Sequence, residues 1–156
     1  MKDRCPKCSA TDLRPAVYAY AREVDGRRFK AEVTARRCGK CGELLISGPG
    51  LLDAERALTA SLASGAVGPQ GFRLLRRAAG LAALELAALL DVTPGTVSRW
   101  ENGKKPLERR AVALVAALAL EAAGEPASTR ALLDRLASGR KPARRVHLDL
   151  RHAVGE

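Results

Sequence analysis

All four cysteines of this 156-residue chain lie in its first 41 residues, as two Cys-x-x-Cys pairs, Cys5 with Cys8 and Cys38 with Cys41. Each pair turns two sulfurs toward one centre, so the two pairs can supply four thiolates to a tetrahedral Zn²⁺ site. Two disulfides are the alternative, which the lack of an apolar secretory run in the first residues disfavours. We therefore predict one Zn²⁺ per chain, structural because a four-sulfur site leaves no open position for water.

The segment between the two cysteine pairs predicts a β-hairpin. Apolar and polar residues alternate over residues 17–22 and again over 29–33, which is the period of a strand. Asp25 and Gly26 lie between the two runs and form a favoured two-residue hairpin turn. Residues 1–50 are therefore predicted to be a small zinc-binding β domain whose folding depends on the metal, because its own core is small.

The rest of the chain has the period of helices. Gly-Pro motifs flank residues 51–71, which predict a helical linker with a flexible second half. Thr93 with Pro94 favours a helix start and Gly103 a helix end. Five further helices are predicted, at 72–80, 81–90, 93–102, 107–124 and 128–139. The predicted fold class is α+β, with a small zinc-bound β-hairpin domain before an all-α domain.

Composition and charge indicate which classes of function are favoured. A net charge of +10 and a pI near 10.1 indicate a polyanionic partner, with a solvated basic surface as the alternative. The apolar stretch "LAALELAALL" contains Glu85 and is too short to span a bilayer. His147 and His152 lie in the tail, and no catalytic pair shares a predicted face. We expect a soluble cytoplasmic protein that is not an enzyme.

Two short helices at 81–90 and 93–102, joined by a three-residue turn, predict a helix-turn-helix. The stretch "RAAGLAALELAALLDVTPGTVSRWENGKKP" resembles the Cro/repressor (XRE-type) helix-turn-helix family. The matching positions are Arg76, Gly80, Leu81, Leu86, Ala87, Val92, Val97, Trp100, Glu101 and Gly103. The resemblance implies a lambda-repressor-like domain at 72–125 that binds double-stranded DNA. The chain departs from the family at Ala82 and Ala83, where Ser/Thr-Gln usually touches a phosphate.

The residues of the predicted helix at 93–102 lie on two different faces. Val97 and Trp100 are three apart and are predicted to pack in the core. Arg99 can form two hydrogen bonds with a guanine and Thr96 can contact a thymine methyl, although a solvated Arg99 is the alternative. The remaining predicted DNA-binding residues are Gly95 on the same face and, for phosphate contacts, Lys104, Lys105 and Arg73. Glu101 resembles the family's buried acid, which implies an ion pair with Arg76.

The order of the two halves resembles the MqsA/YgiT-type antitoxins, with "CPKC" at the start, "CGKCGE" after the hairpin and the XRE domain last. The resemblance implies a homodimer that binds and represses a palindromic operator through its C-terminal domain, while the zinc domain engages a ribonuclease toxin. It also implies that Arg99 contacts DNA and that Gly95 replaces a base-reading asparagine. The alternative is a zinc-ribbon/XRE regulator or bridging factor without a toxin.

The C-terminal region at 126–156 is predicted to be a helix followed by a basic tail. Clustered Arg and Lys at 140–145 fit an arm along the DNA backbone. Residues 146–150 alternate in polarity and predict a strand on a sheet edge, either of the zinc hairpin, of a dimer mate or of a toxin. A disordered tail is the alternative. The helix at 107–124 is apolar nearly all round, so one of its stripes is expected to meet a dimer partner.

Overall fold

The computed structural model describes residues 3–125, 128, 130, 134 and 143–150. Its elements are β1 (Leu13–Val24), β2 (Arg27–Cys38), β3 (Leu44–Ile46), α1 (Gly48–Ala63), α2 (Pro69–Ala78), α3 (Ala83–Leu89), α4 (Pro94–Glu101), α5 (Arg109–Ala122) and β4 (Arg145–His147). A cysteine-bearing β-hairpin thus precedes a helical domain, and the predicted α+β class is confirmed. The helix predicted at 128–139 falls almost wholly outside the described residues.

The sheet is built around β2. Strand β1 pairs with it antiparallel along its whole length. At the turn, Asp25 and Gly26 have φ of 51° and 72°, the left-handed backbone that a two-residue hairpin requires. On the other edge of β2, β3 pairs antiparallel at residues 35–37 and β4 pairs parallel at residues 28–30. A strand in the tail, predicted at 146–150, is therefore confirmed at Arg145–His147, with β2 of its own chain as the partner. The three-residue β3 was not predicted.

One face of the sheet is covered by α1. Along β2 every second residue from Arg27 to Ala35 is buried, as the strand period requires. Helix α1 begins after Ser47, whose hydroxyl accepts the Gly50 N–H at 3.3 Å, and it buries Leu58 and Leu62 on its inner side. The predicted linker at 51–71 therefore contains most of α1 and the first residues of α2.

The buried side chains form one continuous core. It runs from Phe29 of the sheet through Leu58 of α1 to Phe72 of α2 and Trp100 of α4, and it includes Leu148 after β4. The predicted β domain at 1–50 and the predicted helix-turn-helix domain at 72–125 consequently share a core through α1. No helix among the described residues is long and apolar enough to cross a membrane.

Most of α5 is buried against α1 and α2. Val112, Val115 and Ala119 lie inside, so that stripe is covered within the chain. Leu114 on the opposite stripe is 46% exposed. The apolar surface of α5 that a partner could cover is therefore the stripe around Leu114.

Candidate metal centre and nucleic-acid interface

The two cysteine pairs meet at the end of the hairpin that lies away from its turn. The sulfur atoms of Cys5, Cys8, Cys38 and Cys41 all lie within 4.8 Å of one another. Cys5 and Cys38 are buried, whereas Cys41 is exposed. Antiparallel pairing of Leu13 with Cys38 brings the N-terminal pair beside the second pair, which explains how a separation of about thirty residues closes into one cluster.

The sulfur separations fit a metal cage. Cys5 Sγ lies 3.6 Å from Cys41 Sγ, and Cys8 Sγ lies 3.6 Å from Cys38 Sγ. Ligands about 2.3 Å from a tetrahedral Zn²⁺ would be about 3.8 Å apart, whereas disulfide sulfurs are about 2.05 Å apart. All four cysteines are free. The donor set and its spacing therefore fit Zn²⁺, and a bound Zn²⁺ would pin the N-terminal residues to the hairpin.

Backbone amides prepare one of these sulfurs for a metal. The N–H groups of Cys41 and Lys40, together with the neighbouring thiols, lower the pKa of the Cys38 thiol to about 7 against the opposing effect of burial. In the same cluster, burial and the neighbouring thiols raise the pKa of the Cys41 thiol to about 12, so Cys38 is the sulfur that deprotonates more readily. A lowered pKa favours the thiolate, which is the form that binds metal. Gly42 closes this turn with φ of 74° and donates its N–H to the Cys38 carbonyl at 2.9 Å. A left-handed residue at this point is the reason for glycine.

The second candidate site is the exposed face of α4, formed by Gly95, Ser98, Arg99 and Asn102. These positions follow the i, i+3, i+4, i+7 spacing of one helical face. Thr93 caps the helix by accepting the Thr96 N–H at 3.2 Å, and Pro94 follows in the first turn. Gly103, with φ of 68°, ends it. The helix boundaries predicted from Thr93 and Gly103 are confirmed to within a residue.

The opposite face of α4 is fixed by the core. Val97 and Trp100 are completely buried, and the Trp100 ring meets the Phe72 ring edge-on at 5.8 Å between centroids. The prediction that Trp100 belongs to the core is confirmed. At the end of the helix, Arg76 Nε donates to Glu101 Oε1 at 2.6 Å, and both side chains are about nine-tenths buried.

Four of the predicted DNA-binding residues also have side-chain contacts within the protein, namely Arg73, Lys105, Thr96 and Arg99. Arg73 donates to Glu101 Oε2 at 3.2 Å and to Asn102 Oδ1 at 2.9 Å. Lys105 Nζ lies 5.6 Å from the centre of the Trp100 ring and 3.5 Å from Glu108. Thr96 is only 8% exposed, and its hydroxyl accepts from Arg99 Nη2 at 3.4 Å. These side chains thus support α4 as well as lying near its exposed face.

Three of the predicted DNA-binding residues are exposed to solvent. Gly95, Arg99 and Lys104 are exposed, and a Cβ added at Gly95 would meet nothing closer than the Thr93 hydroxyl at 3.8 Å. Ala82 and Ala83 stand at the start of α3, where the Glu85 carboxylate accepts the Ala82 N–H at 2.6 Å. An acidic side chain therefore lies beside the two positions at which the family usually has a Ser/Thr-Gln pair that touches a phosphate.

Two residues of the exposed face were missed by sequence reasoning. Ser98 lies one residue before Arg99 on the same face, and Asn102 holds it by donating to the Ser98 carbonyl at 2.8 Å. Asn102 also receives the hydrogen bond from Arg73. The helical spacing from Gly95 could have identified both residues, because i+3 and i+7 fall on one face.

Comparison with known proteins gave one family match, which lies in the helical half of the chain. Residues 72–123 match the family model described as helix-turn-helix. This segment spans α2 to α5 and includes the whole exposed face of α4. The match supports a DNA-binding regulator of the XRE type. Searches among curated proteins and among solved structures gave no match.

Proposed function

We propose that this protein is a sequence-specific transcriptional regulator that reads DNA with α4. The observation that carries the proposal is the exposed face of Gly95, Ser98, Arg99 and Asn102 within a segment that matches the helix-turn-helix model. A recognition helix presents such residues to base edges in the major groove. The proposed function is non-catalytic, and the protein acts in the cytoplasm where the DNA is.

Arg99 is the proposed base-reading side chain. It is exposed at the middle of α4, and its guanidinium can donate two hydrogen bonds to the O6 and N7 of a guanine. Gly95 has no side chain, so a neighbouring base or methyl group can approach the helix closely there. Lys104 follows the helix, and its exposed positive charge suits a phosphate contact. Net charge of +10 adds sequence-independent attraction to DNA.

We further propose that the protein binds a palindromic operator as a homodimer. One α4 contacts only a few base pairs, so two copies about one helical turn apart would supply the specificity of an operator. Leu114 on α5 is 46% exposed, although Ala111 of the same stripe is buried, and it is an apolar side chain of the described residues that a second copy could cover.

We propose more specifically that this regulator is the antitoxin of a type II toxin-antitoxin system. The order of a four-cysteine hairpin and an XRE domain supports this, and in such a system the zinc domain would bind a ribonuclease toxin. A zinc-containing XRE regulator or bridging factor without a toxin is the second candidate, and the same hairpin and helix-turn-helix support it equally.

Two experiments test these proposals. Selection of bound fragments from the genomic DNA of the host should yield a palindrome near the gene itself, and recovery of random fragments would contradict specific binding. Co-expression with each neighbouring small gene tests the antitoxin role. If a neighbour arrests growth, co-expression of this protein should restore growth, and the two proteins should co-purify. If no neighbour is toxic, the second candidate stands.

A further inference from the structure

The turn of the hairpin caps α2, the helix that precedes the helix-turn-helix of α3 and α4. The Asp25 carboxylate accepts the backbone N–H groups of Gly68 at 2.9 Å, Gln70 at 3.0 Å and Gly71 at 2.9 Å. In return the Asp25 N–H donates to Gln70 Oε1 at 3.0 Å. Helix α2 has no side-chain cap of its own, because its N-cap residue is Gly68. The acceptor that its first turn needs is therefore supplied by a residue more than forty positions earlier.

Two glycines of the α2 start leave the space that the Asp25 carboxylate occupies. A Cβ placed on Gly68 or on Gly71 would lie 2.6 Å from an Asp25 side-chain atom. Asp25 itself has a left-handed backbone, which the two-residue turn imposes and which Asp tolerates better than most residues. Because Gly68 and Gly71 have no side chains, the hairpin turn can pack directly against the start of α2.

Helix α2 in turn fixes the end of α4. Arg73 bonds both Glu101 and Asn102, Arg76 bonds Glu101, and the Phe72 ring packs on Trp100. A shift of α2 would therefore carry the C-terminal end of α4 with it. The hairpin turn, α2 and α4 form a connected series of hydrogen bonds and ring contacts.

We propose that Asp25 is a positioning residue for DNA recognition, which holds α2, and through it the exposed face of α4, in the orientation set by the hairpin. This inference rests on the proposed DNA-binding function. It assigns the β-hairpin a role in the helical half of the protein that is separate from any partner the hairpin binds. Operator affinity then depends on a carboxylate that touches no DNA.

Two variants distinguish a positioning role of Asp25 from a role in capping α2 alone. Asp25→Gly keeps a residue suited to the left-handed turn and removes the carboxylate. Adding Gly68→Ser in that background gives α2 its own N-cap, since the clashing carboxylate is then absent. Operator affinity is measured by fluorescence anisotropy at a temperature at which urea titrations show each variant to be fully folded. Hydrogen exchange of the peptide that contains α4 is followed in parallel.

We expect Asp25→Gly to weaken operator binding about five- to tenfold, which is within the usual range for a residue that affects a binding site without touching the ligand. The double variant should regain stability but not affinity, and exchange in α4 should stay faster than in the wild type. Glu23→Gln is the matched control, since Glu23 is exposed, lies two residues before Asp25 and, among the described residues, forms an ion pair only with Arg28, at 4.0 Å. Removing a negative charge near DNA should strengthen binding, so a loss of affinity in Asp25→Gly cannot come from charge.

Restored affinity in the double variant would overturn the proposal, because Asp25 would then be a cap and nothing more. Unchanged affinity in a folded Asp25→Gly variant would also overturn it. If the wild-type protein itself fails to discriminate an operator, the proposed function falls. Hydrogen exchange still decides the positioning claim in that case, because unchanged protection of α4 in the double variant would refute it without DNA.

Discussion

The buried ion pair at the end of α4 allows a quantitative test of the fold. In Glu101→Ala, Arg76 loses the carboxylate that it contacts at 2.6 Å and 3.3 Å, although its side chain is only 10% exposed. It keeps one hydrogen bond, to the Leu81 carbonyl. Removing one partner of a buried pair typically costs about 3–5 kcal/mol. The contact of Glu101 with Arg73, which is 39% exposed, adds at most about 1 kcal/mol.

Urea unfolding at pH 7 measures this loss, followed by the fluorescence of the single tryptophan, Trp100, which is fully buried. With a slope of about 2 kcal/mol per molar urea, the midpoint should fall by about 2 M. Two variants control the interpretation. Glu108→Ala removes a half-exposed acid and should cost less than about 0.5 kcal/mol. The pair Arg76→Met with Glu101→Leu removes both charges and should recover most of the loss. If Glu101→Ala costs no more than Glu108→Ala, the pair does not hold α4.

Three further predictions concern the metal, a buried tyrosine and the dimer. Elemental analysis should give one Zn²⁺ per chain, and Cys41→Ser should weaken its retention against a chelator; two mapped disulfides in untreated protein would refute this. Burial raises the pKa of Tyr20 to about 12, so absorbance titration of a Tyr18→Phe protein should place its midpoint near there. Because the folded pKa is above the ordinary value, stability should decline as pH rises from about 10 to about 12, and a midpoint near 10 would contradict the burial. Leu114→Glu should shift a dimer toward monomer in analytical ultracentrifugation, and an unchanged sedimentation coefficient would exclude that stripe.

Features that depend on adjacent residues could be predicted from the sequence. The hairpin turn at Asp25 and Gly26 follows from two residues that accept a left-handed backbone. The start of α4 at Thr93 and its end at Gly103 follow from capping chemistry. The paired Cys-x-x-Cys spacing predicted the cysteine cluster, because each turn brings two sulfurs together.

Features that depend on distant contacts could not be predicted. Asp25 was recognised as a turn residue, but its role as the cap of α2 depends on a fold that brings Gly68 to it. Thr96 was predicted to face DNA, whereas in the structure it is mostly covered, in contact with Thr93 and Arg99. The stacking of Lys105 on Trp100 likewise depends on how the chain leaves α4. Strand β3 has too few residues to show a period.

Comparative binding measurements decide whether α4 reads DNA sequence through Arg99. Affinity is measured for the selected operator and for random DNA of equal length, over a range of salt concentrations. Arg99→Ala should lose about 1–3 kcal/mol of discrimination between the two. Lys104→Ala removes an exposed charge beside α4 and should weaken both alike, reducing the salt slope by about one. Full discrimination retained by Arg99→Ala would contradict the assignment of α4 as the recognition helix.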